Sequence, residues 1–320
     1  MPDPLIEHWA EDIACLRLPM PAFGGVNALI LGPQNDRVIV DTGMPGAETA
    51  AIWQSVLSDP DFGAVSGVLA THAHVDHVGQ VGLLVRQTGV PFMMSQPEYE
   101  DIAKLVSLGL DQRQAIATDF HDLGGFSVEG RGQPIDYSIL APFPEPLLFL
   151  KDGETITLGG ITWTVLLGGG HSRAPICLLS LERGLLLAGD QLLMGSGPQV
   201  PAQAERPGDN ALGNYFRFLD CLDGLPDDLT ILPGHGDPIR NFKPQVERIR
   251  SGHRQRLERF LDGMSGPLTC AEMADLVFAK PSKRLKARLP YLTMAMANYL
   301  VAQSKIVVRP GSNPRIFEKA

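Results

Sequence analysis

Long hydrophobic runs are missing from this 320-residue sequence. Nowhere do about 18 apolar residues follow one another, which is the length that a membrane-spanning helix needs. The first residues, MPDPLIEHWAEDIACLRLPM, also lack the basic start and apolar centre of a secretory signal peptide. These absences argue against a membrane or secreted protein, and we expect a cytoplasmic one.

Cysteine is scarce, and its spacing suggests no pairs. The four cysteines lie far apart in the chain, at Cys15, Cys177, Cys221 and Cys270. This spacing favours neither a disulfide framework nor a cysteine-based zinc site. We therefore expect buried, reduced thiols.

Lysine and arginine are scarce in most of the chain and concentrated near its C-terminal end. Residues 243–320 carry 15 Lys and Arg against 6 Asp and Glu, a formal charge of +9. Residues 1–242 carry 12 against 30, a charge of −18. A basic segment can attract phosphates or dock against an acidic neighbour, and charge alone leaves both interpretations open.

The chain divides into a long first part and a shorter second part. Residues 1–242 alternate strand patterns, such as NALILG, RVIVDTG, VSGVLATH and PFMMS, with helical ones such as GAETAAIWQSVL, which predicts an α/β domain. Within it, residues 97–150 begin with two helices and continue as a loop rich in Gly and Pro, an insertion that we interpret as a lid. Residues 243–320 contain three helical patterns and two short strands around a Pro-Gly-Ser-Asn-Pro turn, which predicts a winged-helix-like domain.

The stretch THAHVDHVG places three histidines and an aspartate within six positions. Imidazoles and carboxylates that are withdrawn from water cost free energy unless something holds them, and a metal ion is one such partner. Nitrogen and oxygen ligands without thiolates suit zinc, and also iron or manganese. The alternative is a solvated, histidine-rich loop. The four candidate ligands are His72, His74, Asp76 and His77.

Three further candidates follow predicted strands. His171 comes after LLGGG, Asp190 after LLLAG, and His235 lies within LPGHG. Strand ends on one edge of a sheet converge, and glycines allow the backbone to approach a ligand closely.

Seven ligands fit two metal ions. His72, His74 and His171 would hold one ion, Asp76, His77 and His235 the other, and Asp190 would bridge them. Asp41 in VIVDTG is expected to orient a ligating histidine, or else to cap a turn. The remaining histidines, His8, His121 and His253, are expected to have surface or hydrogen-bonding roles.

In the order VIVDTG, THAHVDH, GGGHS, LLAGD and LPGHG, these motifs resemble those of the metallo-β-lactamase superfamily over roughly residues 20–240. The resemblance implies an αββα sandwich with a metal site at one edge of its two sheets, and it implies the same seven ligands. The C-terminal pattern is similar to the branch that includes the lactamase-β-like endoribonucleases. Asp190 argues against a true β-lactamase, and His74 against a flavo-diiron protein.

The ligand set predicts a dinuclear metal-dependent hydrolase. Two divalent ions, with zinc expected first and iron or manganese as alternatives, can share a water and generate a bridging hydroxide at neutral pH. Asp76 is the candidate catalytic residue, since a carboxylate there could orient that water and pass its proton to the leaving group.

Four functions are compatible with these residues. The glyoxalase II-like ligand set favours hydrolysis of a small ester, thioester or lactone. The basic C-terminal domain favours a phosphodiesterase or endoribonuclease, although the charge of −18 elsewhere opposes nucleic-acid binding. A mononuclear-iron persulfide dioxygenase and a non-catalytic metal sensor are the others. We rank the small-molecule hydrolase first, expect neither nucleic acid nor membrane as partner, and leave a homodimer open.

Overall fold

The N-terminal half of the chain builds the first of two large sheets. The computed structural model describes residues 6–20, 24–127 and 133–320. Seven strands lie in chain order in this sheet: β1 (Ile6–Ala10), β2 (Ile13–Leu18), β3 (Val26–Leu31), β4 (Arg37–Val40), β5 (Val65–Leu69), β6 (Phe92–Met94) and β7 (Leu148–Phe149). Strands β1 to β4 pair antiparallel, and β4 to β7 pair parallel. Strands β3 to β6 were predicted from the sequence, whereas β1, β2 and β7 were not.

The second sheet follows in the chain. Its five strands are β8 (Thr155–Leu158), β9 (Ile161–Leu167), β10 (Ile176–Ser180), β11 (Leu185–Gly189) and β12 (Thr230–Pro233). They lie in the order β12-β11-β10-β9-β8, and only the β11–β12 pair is parallel. Helix α6 (Ala211–Asp223) makes the connection that this parallel pair requires.

An apolar core fills the space between the two sheets. Successive side chains of a strand point to opposite faces. In β3, Leu29 and Leu31 therefore face the second sheet, while Ile30 faces helices. In β11, Leu187 faces the first sheet, and Leu186 belongs to the core beneath the helices of the other side. The central strands of each sheet, such as β3 and β11, are thus buried on both faces.

Helices cover the outer face of the first sheet. They are α1 (Ala47–Ser58), α2 (Val75–Val78), α3 (Val81–Thr88) and α4 (Gln96–Ser107). Their apolar side chains, such as Trp53 of α1 and Ile102 of α4, are fully buried against the strands. With α6 on the second sheet, the layers follow the order helix, sheet, sheet, helix, which is consistent with the predicted αββα sandwich.

The insertion at residues 97–150 contains both predicted helices, α4 and α5 (Leu110–Gly124), followed by a 3-10 turn at Ser138–Leu140. Its residues 128–132 lie outside the described part of the chain. Phe120 of α5 stacks on Tyr291, with ring centroids 4.9 Å apart and an interplanar angle of 12°. The insertion therefore contacts the C-terminal part of the chain.

The C-terminal part consists of α7 (Lys243–Gly263), α8 (Cys270–Val277), α9 (Lys283–Lys286), α10 (Leu289–Ala302), and the antiparallel strands β13 (Ile306–Val308) and β14 (Phe317–Lys319). The three predicted helices and the strand pair are confirmed, and α9 is additional. One apolar core joins Phe260, Met273 and Phe317 of this part to Leu186 and Leu219 of the body. The winged-helix-like assignment and the boundary at residue 242 stay predictions.

Two expectations about single residues are wrong. Cys221 is exposed, whereas the other three cysteines are buried as expected. His253 is only 8% exposed, because α7 packs its ring against those of Tyr215 and Phe216, with centroids 5.8 and 5.9 Å away. Among the described residues, no helix is both long and apolar enough to cross a membrane.

Candidate metal centre

Loops that follow strand ends bring all seven predicted ligands to one edge of the two sheets. His72 and His74 follow β5, and Asp76 and His77 lie in the single turn of α2. The other three follow β9, β11 and β12: His171, Asp190 and His235. Their candidate ligand atoms fall into three overlapping groups, each within 4.8 Å: His72, His74 and His171; His72, His77 and Asp190; Asp76, His77 and His235.

We call His72, His74 and His171 the first trio. The Nδ1 atom of His72 lies 2.9 Å from Thr71 Oγ1, and its Nε2 atom faces His74 Nδ1 at 3.0 Å. His171 donates its Nδ1 proton to the Gln199 carbonyl at 2.9 Å, so its Nε2 atom points into the centre. The trio therefore presents three ring nitrogens towards one position.

We call Asp76, His77 and His235 the second trio. His77 Nδ1 lies 2.8 Å from Asp41 Oδ2, and His235 Nδ1 lies 2.7 Å from the Gly25 carbonyl. Both rings thus turn Nε2 inward. Asp76 Oδ2 lies 3.3 Å from His235 Nε2 and 3.6 Å from His77 Nε2. The sequence placed Asp41 beside a ligating histidine, and the structure gives it this contact.

Asp190 contacts both trios. Its Oδ2 atom lies 3.5 Å from His171 Nε2 in the first trio and 3.5 Å from His235 Nε2 in the second. The absence of a side chain at Gly234 is what allows this approach, since a Cβ atom on residue 234 would collide with Asp190 Oδ1. The first glycine in LPGHG therefore lets the His235 loop approach the Asp190 carboxylate closely.

Asp41 holds the loops beneath the second trio. It accepts hydrogen bonds from the backbone N–H of Thr71 at 2.8 Å and from the Thr71 hydroxyl. Its φ of 63° is in the left-handed region, which costs a non-glycine residue about 1 kcal/mol. That strain is offset because the same carboxylate joins the end of β4, the end of β5 and the His77 ring.

Burial and charge act differently on the two trios. Burial lowers the pKa of His72, lowers that of His74 to about 3 and lowers that of His171. In the second trio burial also opposes the charged ring, but the nearby carboxylates prevail. They raise the pKa of His77, and they raise that of His235 to about 10. The second trio therefore favours positive charge, whereas burial keeps the rings of the first trio neutral.

The donor set fits a pair of divalent cations. The Nε2 atoms of His77 and His171 and Oδ1 of Asp190 are buried and have no hydrogen-bond partner among the described residues. Such atoms are costly unless a cation or water meets them. Imidazole nitrogens and carboxylate oxygens are ligands that zinc, iron and manganese accept.

Two of the rings are oriented by backbone carbonyls that were not predicted from the sequence. Gln199 and Gly25 accept from His171 and His235 through main-chain oxygens. Every residue carries such an oxygen, so no side-chain pattern marks these positions.

Comparisons with known proteins agree with this geometry. Residues 21–235 match the family model described as the Metallo-beta-lactamase superfamily. An uncharacterized protein of Aquifex aeolicus is 32% identical over 222 residues, 68% of this chain and 89% of its own length. The probable metallo-hydrolase YqjP of Bacillus subtilis is 25% identical over 284 residues, 84% of this chain and 85% of its own.

A more distant relative and a crystal structure complete the comparison. An atrochrysone carboxyl ACP thioesterase of Aspergillus fumigatus is 24% identical over 270 residues, 80% of this chain and 69% of its own. A beta-lactamase domain protein from Burkholderia ambifaria superposes with a TM-score of 0.86 at 24% identity, covering 98% of this chain and 93% of that one. The chain belongs to the metallo-beta-lactamase superfamily.

Proposed function

We propose that the protein is a dinuclear metal-dependent hydrolase of thioesters or related small carbon esters and lactones. The observation that carries this proposal is Asp190, which lies 3.5 Å from a histidine of each trio and so could serve two cations together. The similarity to a relative named as a thioesterase favours thioesters within this class.

Each trio would hold one divalent ion, with Asp190 between them. Bound cations would supply Lewis acidity, which polarises a carbonyl oxygen and acidifies water. His171 and His235 are held through Nδ1, so their Nε2 atoms stay in place when substrate enters.

Asp76 is the group that we propose for proton transfer. The neighbouring His77 and His235 overcome the effect of burial and lower the pKa of Asp76 to about 2, so it is a carboxylate at neutral pH. It would orient the water that attacks the carbonyl carbon and accept its proton. The C–S bond then breaks, and the same proton passes to the departing thiolate, which leaves as a thiol.

The experiment is a substrate panel on the full chain reconstituted separately with zinc, iron and manganese. We expect hydrolysis of acyl thioesters to give the highest kcat/KM, ahead of aryl esters and lactones. Asp76→Asn should lower kcat by about 100-fold or more. Turnover of phosphodiesters alone, or oxygen-dependent persulfide turnover with a single iron, would overturn the proposal.

The phosphodiesterase alternative rests on one exposed basic segment. Five cations within residues 280–288 are exposed: Lys280, Lys283, Arg284, Lys286 and Arg288. The predominantly acidic body of the chain, with a charge of −18 over residues 1–242, opposes the approach of a polyanion. Tight RNA binding at low salt that is abolished by Lys283→Glu with Lys286→Glu would favour this alternative; weak binding is expected.

We also propose that the end of the insertion, residues 133–147, covers the centre as a lid. His72 and His77 are fully buried, so a substrate needs an opening. Tyr137 of this segment is buried, and the Arg113 guanidinium lies over its ring, 4.9 Å from the centroid. Burial raises the pKa of the Tyr137 hydroxyl, and Asp76 of the centre is close enough to raise it further.

Exposed apolar side chains on the lid provide its test. Ile139 is 61% exposed and Leu147 is 80% exposed. Ile139→Ser with Leu147→Ser should raise KM for long acyl thioesters more than for short ones and leave metal content unchanged. Leu181, also 61% exposed but on the β10–β11 turn, supplies the control variant Leu181→Ser. Equal changes for all chain lengths would contradict a lid.

A further inference from the structure

The sequence SQPE at the start of α4 matches the pattern of a local helix N-cap. Ser95 is the residue before the helix, and Glu98 stands three residues later, the spacing of a capping box. In that arrangement the serine and glutamate side chains would each accept a hydrogen bond from the other residue's backbone. Yet Ser95 makes no side-chain capping bond in α4. Both side chains are directed to other parts of the chain.

Glu98 contacts two of the loops that carry the first trio. Its Oε2 atom accepts a hydrogen bond from the Ala73 N–H at 2.8 Å, and its Oε1 atom accepts one from the Ala174 N–H at 2.6 Å. Ala73 lies between His72 and His74, and Ala174 lies three residues after His171. One carboxylate thus joins both loops of the first trio.

Ser95 strengthens the same connection. Its hydroxyl donates to the Ala174 carbonyl at 2.7 Å, so the start of α4 binds Ala174 through both its N–H and its C=O. Glu98 and Ser95 are fully buried, where hydrogen bonds are costly to leave unmade. Burial raises the pKa of Glu98, and the two backbone donors oppose that rise.

We infer that Glu98, assisted by Ser95, is a positioning residue that sets the affinity of the first trio for its metal ion. The inference rests on the proposed metal centre. The carboxylate sets the distance between the His72–His74 loop and the His171 loop, which are 25 and 76 residues away from Glu98 in the chain. The second trio is oriented instead by Asp41 and the Gly25 carbonyl. Loss of Glu98 should therefore weaken one of two bound ions.

The test is a zinc titration of the metal-free full chain, with thermal unfolding of the same samples. Glu98→Gln retains the shape but replaces one acceptor oxygen by an amide NH₂, which cannot accept from a backbone N–H. We expect zinc affinity for one equivalent to fall by about 10- to 100-fold, as is typical when a residue supporting a metal ligand is lost. The other equivalent should bind as in the wild type.

Glu100→Gln is the matched control. Glu100 lies on the same helix, but its side chain is 49% exposed and pairs with Arg173 at 2.8 Å. This variant should bind both equivalents normally. If Glu98→Gln also binds both with wild-type affinity, while only its thermal stability falls, the inference is overturned.

Double variants identify the trio that is affected. Glu98→Gln combined with His171→Ala should lose little more metal than His171→Ala alone, because both changes weaken the same trio. Combined with His235→Ala, it should weaken both equivalents. The reverse pattern would place Glu98 with the second trio and overturn the inference.

Two further outcomes separate this inference from the proposed function. If Glu98→Gln does not fold, Ser95→Ala decides, since it removes one hydrogen bond; a several-fold weakening of one equivalent supports the inference, and no change overturns it. If the wild-type protein binds no zinc, iron or manganese, the proposed function and this inference both fail. Two normal equivalents in every Glu98 and Ser95 variant would overturn the inference alone.

Discussion

The histidines in the two trios of the candidate metal centre lie in opposite electrostatic settings. In the first trio, burial dominates and lowers the pKa values of His72, His74 and His171. In the second, carboxylates dominate and raise those of His77 and His235. The trios also differ in support, because a buried glutamate fixes the loops of the first and a buried aspartate orients a ring of the second. The direction in which the pKa of a buried histidine shifts in this centre thus depends on whether carboxylates lie beside it.

The largest expected effect comes from removing the group that the trios share. Asp190→Ala deletes a carboxylate with contacts of 3.5 Å to both trios. We expect elemental analysis to find less than one metal ion per chain, and activity to fall by at least about 100-fold. Asp190→Asn, which preserves volume, is the companion variant. Two retained ions in both variants would show that the trios bind metal independently.

Variants that remove a single histidine should lose one metal ion and keep the other. His171→Ala removes a nitrogen from the first trio only, and His235→Ala removes one from the second only. Each variant should retain one tightly bound equivalent, as measured by metal content after dialysis against a weak chelator. Loss of both ions from either variant would mean that one trio cannot bind without the other.

Asp41→Asn should produce a smaller effect that falls mainly on the second trio. The amide nitrogen cannot accept from His77 Nδ1, so the ring loses its orienting bond. We expect the second trio's affinity for zinc to fall by about 10-fold and the first trio's by less, because Asp41 reaches His72 only through the Thr71 hydroxyl. Asp12→Asn is the control, since Asp12 also has a left-handed φ, of 57°, but is exposed. Equal weakening of both trios would contradict this division.

The smallest effect on metal binding is expected at His253, which is not a candidate ligand. Burial lowers the pKa of His253 from 6.5 to about 4. The folded state therefore binds this proton less readily than the unfolded state, and His253 should reduce the free energy of unfolding as the pH falls from about 6.5 to 4. His253→Phe should flatten that dependence, by about 1 to 3 kcal/mol at pH 4, without changing metal content. An unchanged slope in chemical denaturation would contradict it.

The candidate site could be predicted from the sequence because its residues mark the ends of apolar strands. His171, Asp190 and His235 each follow such a strand, and strand ends on one edge converge. Glu98 could not be found in this way. Its pattern with Ser95 is typical of a local cap, and its partner Ala174 lies 76 residues away. Only the folded chain reveals that contact.

The fold was predictable to a similar extent. Apolar runs bounded by glycine indicated most strands, whereas β1 and β2 were overlooked and the four-residue α9 is too short for a periodic pattern. The burial of His253 depends on α7 packing against α6, which no local pattern reports. Sequence patterns predict elements better than they predict which elements meet.

One apolar core contains residues from both sides of the predicted boundary at residue 242, and this has a consequence for folding during synthesis. All seven candidate ligands precede residue 243, so the nascent chain carries the complete metal-binding set before α7 is synthesised. Helix α6 covers part of the outer face of the second sheet, but the core on that side is complete only when Phe317, which is fully buried in it, has been added. During translation, an exposed apolar face therefore coexists with a full set of ligands, which makes this interval the stage at which a chaperone would matter most.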